Sequence, residues 1–345
     1  MWDPAPSLPV LAAPMAGGAS TPELVVAAAR AGGAGFLAGG YKTAESLADQ
    51  VGAVRRAGVP FGVNVFAPNP VPVDRREYRR YAEAVGDLAS ELGVELDVSH
   101  PTEDDDAWDD KIDLLLSDPV PMVSFTFGIP DRKVVSALRR AGSRVAQTVT
   151  SAEEACRAAT AGADVLVVQG SEAGGHSATL TPRRPARPER LADLVGRLRS
   201  LGLPIIAAGG LATPGAVAEV VRAGARAAMV GTVLLRTEES GASAVHREAL
   251  ASPRFTETTV TRAFTGRPAR ALRNGFIDRF DRGAPHGYPA LHHLTSPLRK
   301  AAAAEGEAEA VHLWAGTGYR EARAESAERT LRRLGSGLRG GGQRT

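Results

Sequence analysis

Short apolar runs alternate with Ala- and Arg-rich stretches of helical period through the first two-thirds of the chain, and glycine, proline or asparagine breaks the junctions. That alternation marks a parallel sheet joined by helical crossovers. The runs predict strands at Pro9–Ala13, Gly35–Ala38, Phe61–Val65, Met122–Phe125, Arg144–Thr148, Val165–Gln169, Pro204–Ala208 and Ala227–Val230. Eight parallel strands close a barrel, so the expected fold class is α/β, a (β/α)8 or TIM barrel. Helices are expected at Pro22–Ala31, Ala44–Ala57, Arg75–Leu92, Asp131–Ala141, Ala152–Ala161, Pro188–Leu201 and Pro214–Ala223. Ser151 with Glu154 reads as a capping box, and Thr213 before Pro214 as a capped first turn. Ala-Gly endings at 31–32, 57–58, 141–142, 161–162 and 223–224 supply left-handed C-caps.

Two stretches break the rhythm. Residues 93–120 read as an extended connection holding the acidic run Glu103–Asp106. The division expected is a barrel over 1–237, an inserted mainly helical subdomain or lid over 238–298, a segment over 299–334 that returns to the barrel, and a frayed tail over 335–345, whose glycines offer little apolar surface.

Composition narrows the partners. Of the 345 residues, 41 are Lys or Arg and 39 are Asp or Glu, a near-neutral balance that points to no nucleic-acid partner. The acidic run reads as a solvated loop. Cys156 is the single cysteine, which excludes an internal disulfide and fits a reducing cytoplasm; on its helix it reads as a small buried side chain. The amino terminus lacks a signal-peptide pattern, and no apolar run reaches a membrane-spanning length. The expectation is a soluble cytoplasmic protein.

In such barrels the chemistry lies at the carboxyl ends of the strands. After the seventh and eighth runs come Gly209-Gly210 and Gly231-Thr232, where backbone amides and a hydroxyl can hold a phosphate. Asn64 offers a donor and an acceptor to the polar edge of a flat heterocycle such as a flavin; Gln147 offers the same groups, or serves as a buried structural amide. Ala13 through Gly18, including Met15, forms a small-residue surface on which such a ring can lie. The sharpest motif follows the sixth run: Glu172-Ala173-Gly174-Gly175-His176, a tight loop with one imidazole at its tip, able to bind an anion or to take a proton from carbon. His292-His293 lacks an evident third ligand, so no metal is expected; His100, His246, His286 and His312 read as surface or cap residues.

The order of these blocks, ending in Leu313-Trp314-Ala315-Gly316, resembles the nitronate monooxygenases (nitropropane dioxygenases) over nearly the whole chain. The resemblance implies non-covalent FMN, held by Ala13, Met15, Asn64, Gln147, Gly174, Gly175, Gly209, Gly210, Gly231 and Thr232, with His176 as the catalytic residue beside the reactive face. It further implies a nitronate substrate and O2, giving a carbonyl compound and nitrite. Ser177-Ala178 and Thr317 depart from the family's usual pattern, and Tyr288-Pro289 with Leu298-Arg299 is similar to the block that borders its site. The competing readings are a flavin-type enoyl-acyl-carrier-protein reductase using a nicotinamide donor, and a flavin-binding barrel without turnover. No lysine stands at an assigned strand end, which argues against a Schiff-base aldolase.

Overall fold

In the computed structural model, which describes residues 6–185 and 187–341, eight parallel strands close into a barrel. They are β1 (Val10–Ala12), β2 (Ala34–Ala38), β3 (Phe61–Phe66), β4 (Met122–Thr126), β5 (Arg144–Val149), β6 (Val165–Gln169), β8 (Ile205–Ala208) and β9 (Ala227–Val230), and β1 pairs with β9 to complete the ring. The two-residue β7 (Gly175–His176) lies outside the ring. With β10 (Thr258–Thr261) and β11 (Ala269–Leu272) it makes a small antiparallel sheet.

The side-chain period of two decides what each strand contributes. Leu11, Phe36, Met122, Ala146, Val167, Ile206 and Met229 meet inside the barrel, while Val63, Phe125, Val145 and Val123 face the helices. A Cβ on Gly62 would stand 2.4 Å from the Phe36 ring, so this inward position must be glycine for the phenylalanine to fill the axis. Each large apolar side chain buried in this way stabilises the fold by roughly 1.5–3 kcal/mol. One step further up, the inward positions become Asn64, Ser124, Thr148 and Gln169, and a polar floor replaces the plug.

Ser151 and Thr213 each cap a helix by accepting a backbone N–H, as their spacing implies, and Thr21 and Thr43 do the same. Cys156, expected inside, is exposed, because Ala155 and Ala158 take the buried face of its helix. The largest differences concern crossovers. Arg75–Glu91 is not the barrel's crossover helix: Tyr78, Tyr81 and Val85 pack with Phe264, Phe276, Leu291 and Leu294, far along the chain. The ring position belongs to Trp108–Ser117, whose Ile112 and Leu115 lie against the β3 and β4 side of the barrel.

The acidic run before that helix is only partly solvated. Asp106 pairs with the fully buried Lys111 at 2.7 Å and accepts from the Tyr41 amide, and Asp104 meets His293 at 3.0 Å. After β9 the chain builds a cap before it supplies the last barrel helix, Ala327–Gly335, which packs Ala327, Leu331 and Leu334 into the core shared with β1 and β9. The cap holds the β10–β11 pair as well as its helices. The expected tail is likewise ordered in its described part: residues 336–341 form a 3-10 turn, and Leu338 packs on the barrel core. Residues 342–345 lie outside the described residues. Among the described residues no helix is long and apolar enough to cross a membrane.

Candidate active site

A cavity of about 940 Å³ occupies the carboxyl-terminal mouth of the barrel, large enough for a cofactor with a small substrate. Its floor comes from the strand ends: Ala13, Asn64, Thr126, Thr148, Gln169, Ala208 and Met229. The cap supplies Thr265, Tyr288, His292, Arg299, His312 and Trp314 as its roof.

His176 sits between floor and roof because its loop is tied down on both legs. Gln169 donates to the His176 carbonyl at 3.1 Å and accepts from the Ala178 amide at 2.8 Å. The Glu154 carboxylate, instead of returning to Ser151, accepts from the Thr150 and Leu180 amides and from the Thr179 hydroxyl. β7 pairs antiparallel with β11, setting Ala269 opposite His176, and the Ser177 amide donates to Pro268. The close passage of Ala315 and Gly316 leaves no room for a side chain on Gly174, whose Cβ would stand 2.5 Å from the Gly316 nitrogen. The imidazole Nε2 lies 2.9 Å from the Thr265 hydroxyl, and Phe127, Tyr288 and Trp314 surround the ring at centroid distances of 5.6, 5.8 and 5.3 Å.

Three carboxylates, Asp104 to Asp106, line one part of the cavity, but the charges acting on His176 are both positive, Arg267 and Arg299. Arg267, fully buried, lies 4.1 Å from the centroid of the Phe127 ring and donates to the Thr179 carbonyl, while its Nη1 has no partner. Arg299, also buried, donates to Thr295 and to the His292 carbonyl. Neither guanidinium forms an ion pair with a carboxylate among the described residues, and both remain cationic although burial draws each down to about 10. Burial, then Arg267 and Arg299, lowers His176 to about 3, so the imidazole is neutral near pH 7. Burial pushes Tyr41 up to about 12 and raises Tyr288. A neutral base beside two cations that lack a direct ion-pair partner among the described residues can take a proton from a carbon acid, and the cations can stabilise the anion that results.

A family model described as nitronate monooxygenase matches residues 1–335. The chain belongs to the nitronate monooxygenase family. It is 35% identical over 320 residues to a "probable nitronate monooxygenase" of Staphylococcus saprophyticus, covering 89% of this chain and 88% of that one. A counterpart in Staphylococcus aureus is 34% identical over 313 residues, with the same coverage. Among solved structures, the nitroalkane oxidase of Streptomyces ansochromogenes is 45% identical with a TM-score of 0.92 and covers 97% of both chains. FabK of Thermotoga maritima is 25% identical with a TM-score of 0.75, over 97% of this chain and 93% of that one.

Within this nitronate monooxygenase fold, Ala13, Met15, Asn64, Gly174, Gly175, His176, Gly209, Gly210, Gly231 and Thr232 all line the cavity. Gln147 does not. It shares the parity of Val145 and Val149, so it points at the helix layer and donates to the Gly128 and Thr148 carbonyls; the inward residue is Thr148. The Asn64 amide nitrogen is engaged by Ser124 and Thr126, which leaves its Oδ1 for a ligand. Thr232 accepts from the Gly316 amide at 3.0 Å and keeps its own O–H to donate. His246 and His312, read as surface or cap residues, line the cavity as well. His292 stacks on Tyr41 with centroids 4.0 Å apart, while the His293 ring turns away by 84° to Asp104. Thr265, Arg267 and Tyr41 were not signalled by any motif.

These cavity-lining imidazoles give the nitronate monooxygenase fold an acid limit. His176 titrates at about 3 and His246 at about 4, both lowered first by burial, against about 6.5 in an unfolded chain. Between those values the unfolded state binds more protons, so stability is full above about pH 6.5 and falls as the pH drops toward the folded values. The urea midpoint should therefore be lower at about pH 5 than at about pH 7, and His246→Gln should shrink the difference. An unchanged difference in that variant would remove His246 from the acid response.

Proposed function

We propose that this protein is an FMN-dependent enzyme that oxidises alkyl nitronates, and the nitroalkanes from which they form, with O2 as acceptor and a carbonyl compound and nitrite as products. The observation that carries this reading is His176, neutral and roofed by the cap, facing a cavity whose floor ends in two glycine sites. The residues present fit FMN. Gly209 and Gly210 adopt positive φ of 102° and 71°, conformations open to glycine that turn the backbone tightly after β8. Gly231-Thr232 follows the neighbouring β9. These two ends would hold the terminal phosphate, the Asn64 Oδ1 a ring edge, and Ala13 with Met15 one ring face. Bound FMN supplies the redox chemistry.

The chain's own part is to bind, orient and move a proton. The cap excludes water above His176, and Arg267 with Arg299 favours an anionic substrate there. The imidazole takes the carbon-bound proton of a neutral nitroalkane or, once protonated, donates to a nitronate oxygen. The name of the Streptomyces ansochromogenes relative, a nitroalkane oxidase, supports the same reading.

Purified protein should be yellow and should release FMN, not flavin adenine dinucleotide, on denaturation. Its visible flavin band should bleach when a nitronate is added without oxygen. Bleaching by NADPH with no response to nitronate would favour the reductase reading suggested by the FabK likeness, and flavin inert to both would favour a barrel without turnover. A colourless protein that cannot be reconstituted with FMN would remove the cofactor assignment.

A further inference from the structure

The bonds around the Thr265 hydroxyl bear on which imidazole nitrogen carries the proton. Thr265 is buried, in a turn of the cap where Gly266 takes a φ of 72°. Its Oγ1 lies 2.9 Å from His176 Nε2, 3.3 Å from the Arg267 carbonyl oxygen and 3.4 Å from the Arg267 amide nitrogen. A hydroxyl has one proton to give and two lone pairs to offer. The Arg267 amide can only donate and the Arg267 carbonyl can only accept, and among the described residues that carbonyl has no other donor. All three contacts are satisfied together in one arrangement: the hydroxyl donates to the Arg267 carbonyl and accepts from both the Arg267 amide and a protonated Nε2. If Nε2 were bare, the hydroxyl would have to turn to it and leave a buried carbonyl without a donor, which costs roughly 1–3 kcal/mol.

We propose that Thr265 is a positioning residue that fixes His176 as the Nε2–H tautomer, so that Nδ1 faces the cavity as a bare acceptor and is the atom that takes the substrate's proton. Nδ1 has no hydrogen-bond partner among the described residues, and the ring lines the cavity. The inference rests on the proposed nitroalkane and nitronate reading for its substrate. In the step, the carbon–hydrogen bond of the nitroalkane breaks, its electron pair stays on the substrate as the nitronate, and the proton forms an Nδ1–H bond. The imidazolium then donates through both nitrogens, to Thr265 and to the nitronate oxygen. The groups that face or bias the ring are the Arg267 and Arg299 guanidiniums, the Tyr288 phenol, and the His292 and His312 imidazoles.

The same geometry explains why the cap, and not the barrel, orients the base. β11 pairs with β7 at His176, and the turn holding Thr265 directly precedes β11. Backbone and ring of His176 are thus held by one connected segment, 265–270. The barrel presents the loop, and the insertion sets the ring's proton.

The test uses FMN-loaded protein labelled with ¹⁵N-histidine, with His176 assigned by its loss in His176→Gln. Long-range ¹H–¹⁵N correlation spectra at neutral pH report the tautomer without turnover. Wild type and Thr265→Ser should show Nε2–H with a bare Nδ1. Thr265→Val, which has nearly the same shape but no hydroxyl, should show a mixture or the reverse. For neutral nitroalkanes, Thr265→Val should lower kcat by about tenfold with KM little changed, the factor a hydrogen bond of about 1.4 kcal/mol provides, and Thr265→Ser should restore it. The acid limb of the nitroalkane pH profile should move in Thr265→Val and not in Thr265→Ser.

An Nδ1–H tautomer in wild type overturns the proposal, as does a Thr265→Val protein that keeps Nε2–H and full nitroalkane turnover. If wild type turns over neither substrate but its Nε2–H tautomer is lost in Thr265→Val, the proposed reaction fails and the tautomer assignment is supported.

Discussion

His176→Ala should keep its flavin and lose turnover of a neutral nitroalkane by roughly 10²–10⁴-fold, the range for removing a general base. The flavin stays because His176 belongs to the roofing loop, whereas the glycine ends that would hold the phosphate lie after β8 and β9. The loop itself should survive, since Gln169, Glu154 and the β7–β11 pairing hold its backbone without the imidazole. A preformed nitronate should suffer less. It arrives deprotonated and does not need the base, while Arg267 and Arg299 still favour its charge. Measuring kcat/KM for a nitroalkane and its nitronate on one preparation, with flavin content from the visible spectrum, separates these effects. Equal and small losses on both substrates would make His176 a loop residue and move the site toward Tyr288 and His292.

The barrel was legible because it repeats. Eight apolar runs with glycine-marked helix ends leave one arrangement, and every strand lies within a residue or two of its expected place. What failed to show was whatever depends on distant sequence. Trp108, Ile112 and Leu115 are spaced as a helix face, but an acidic run precedes them and the inner face carries Lys111, buried only because Asp106 pairs with it. The more obvious helix, Arg75–Glu91, took its place in the reading, since nothing local says that Tyr78 and Tyr81 pack on residues nearly 200 positions later. The last barrel helix arrives only after the whole cap.

The candidate site divides on the same line. Residues at strand ends and in the loop after β6 were readable from position, because a barrel strand fixes where its successor points. Gln147 was readable too: counting in twos from Val145 turns it outward and brings Thr148 into the cavity. Thr265 and Arg267 could not be found this way. Thr265 and Arg267 reach His176 through the cap, with no repeat behind them, and Arg267 reads in sequence as one more surface arginine until its 0% exposure is seen; Tyr41, three residues past β2, stands at a strand end that the motifs did not mark.

The anion end can be tested at one of its glycines and not at the other. A Cβ on Gly210 would fall 2.1 Å from a Glu172 carboxylate oxygen, on a backbone with φ of 71°, so a substitution there strains the backbone and displaces Glu172 whether or not a phosphate binds. Gly231 differs. Its φ is −121°, and the atoms nearest a Cβ would be Ala13 Cβ and Met15 Sδ at 3.5 Å and Met15 Cγ at 3.7 Å, ordinary contact distances. Gly231→Ala should therefore fold and keep FMN. Gly231→Asp adds a carboxylate at the same place, and two negative charges about 4 Å apart repel by roughly 4 kcal/mol at an effective dielectric constant near 20. That repulsion corresponds to about a thousandfold loss of affinity. The variant should purify colourless with an unchanged far-ultraviolet circular dichroism spectrum, and Gly231→Asn, similar in size but neutral, should retain more flavin than Gly231→Asp. Full FMN occupancy in Gly231→Asp would place the phosphate elsewhere in the cavity, and equal losses in the Asp and Asn variants would show that bulk and not charge displaces it.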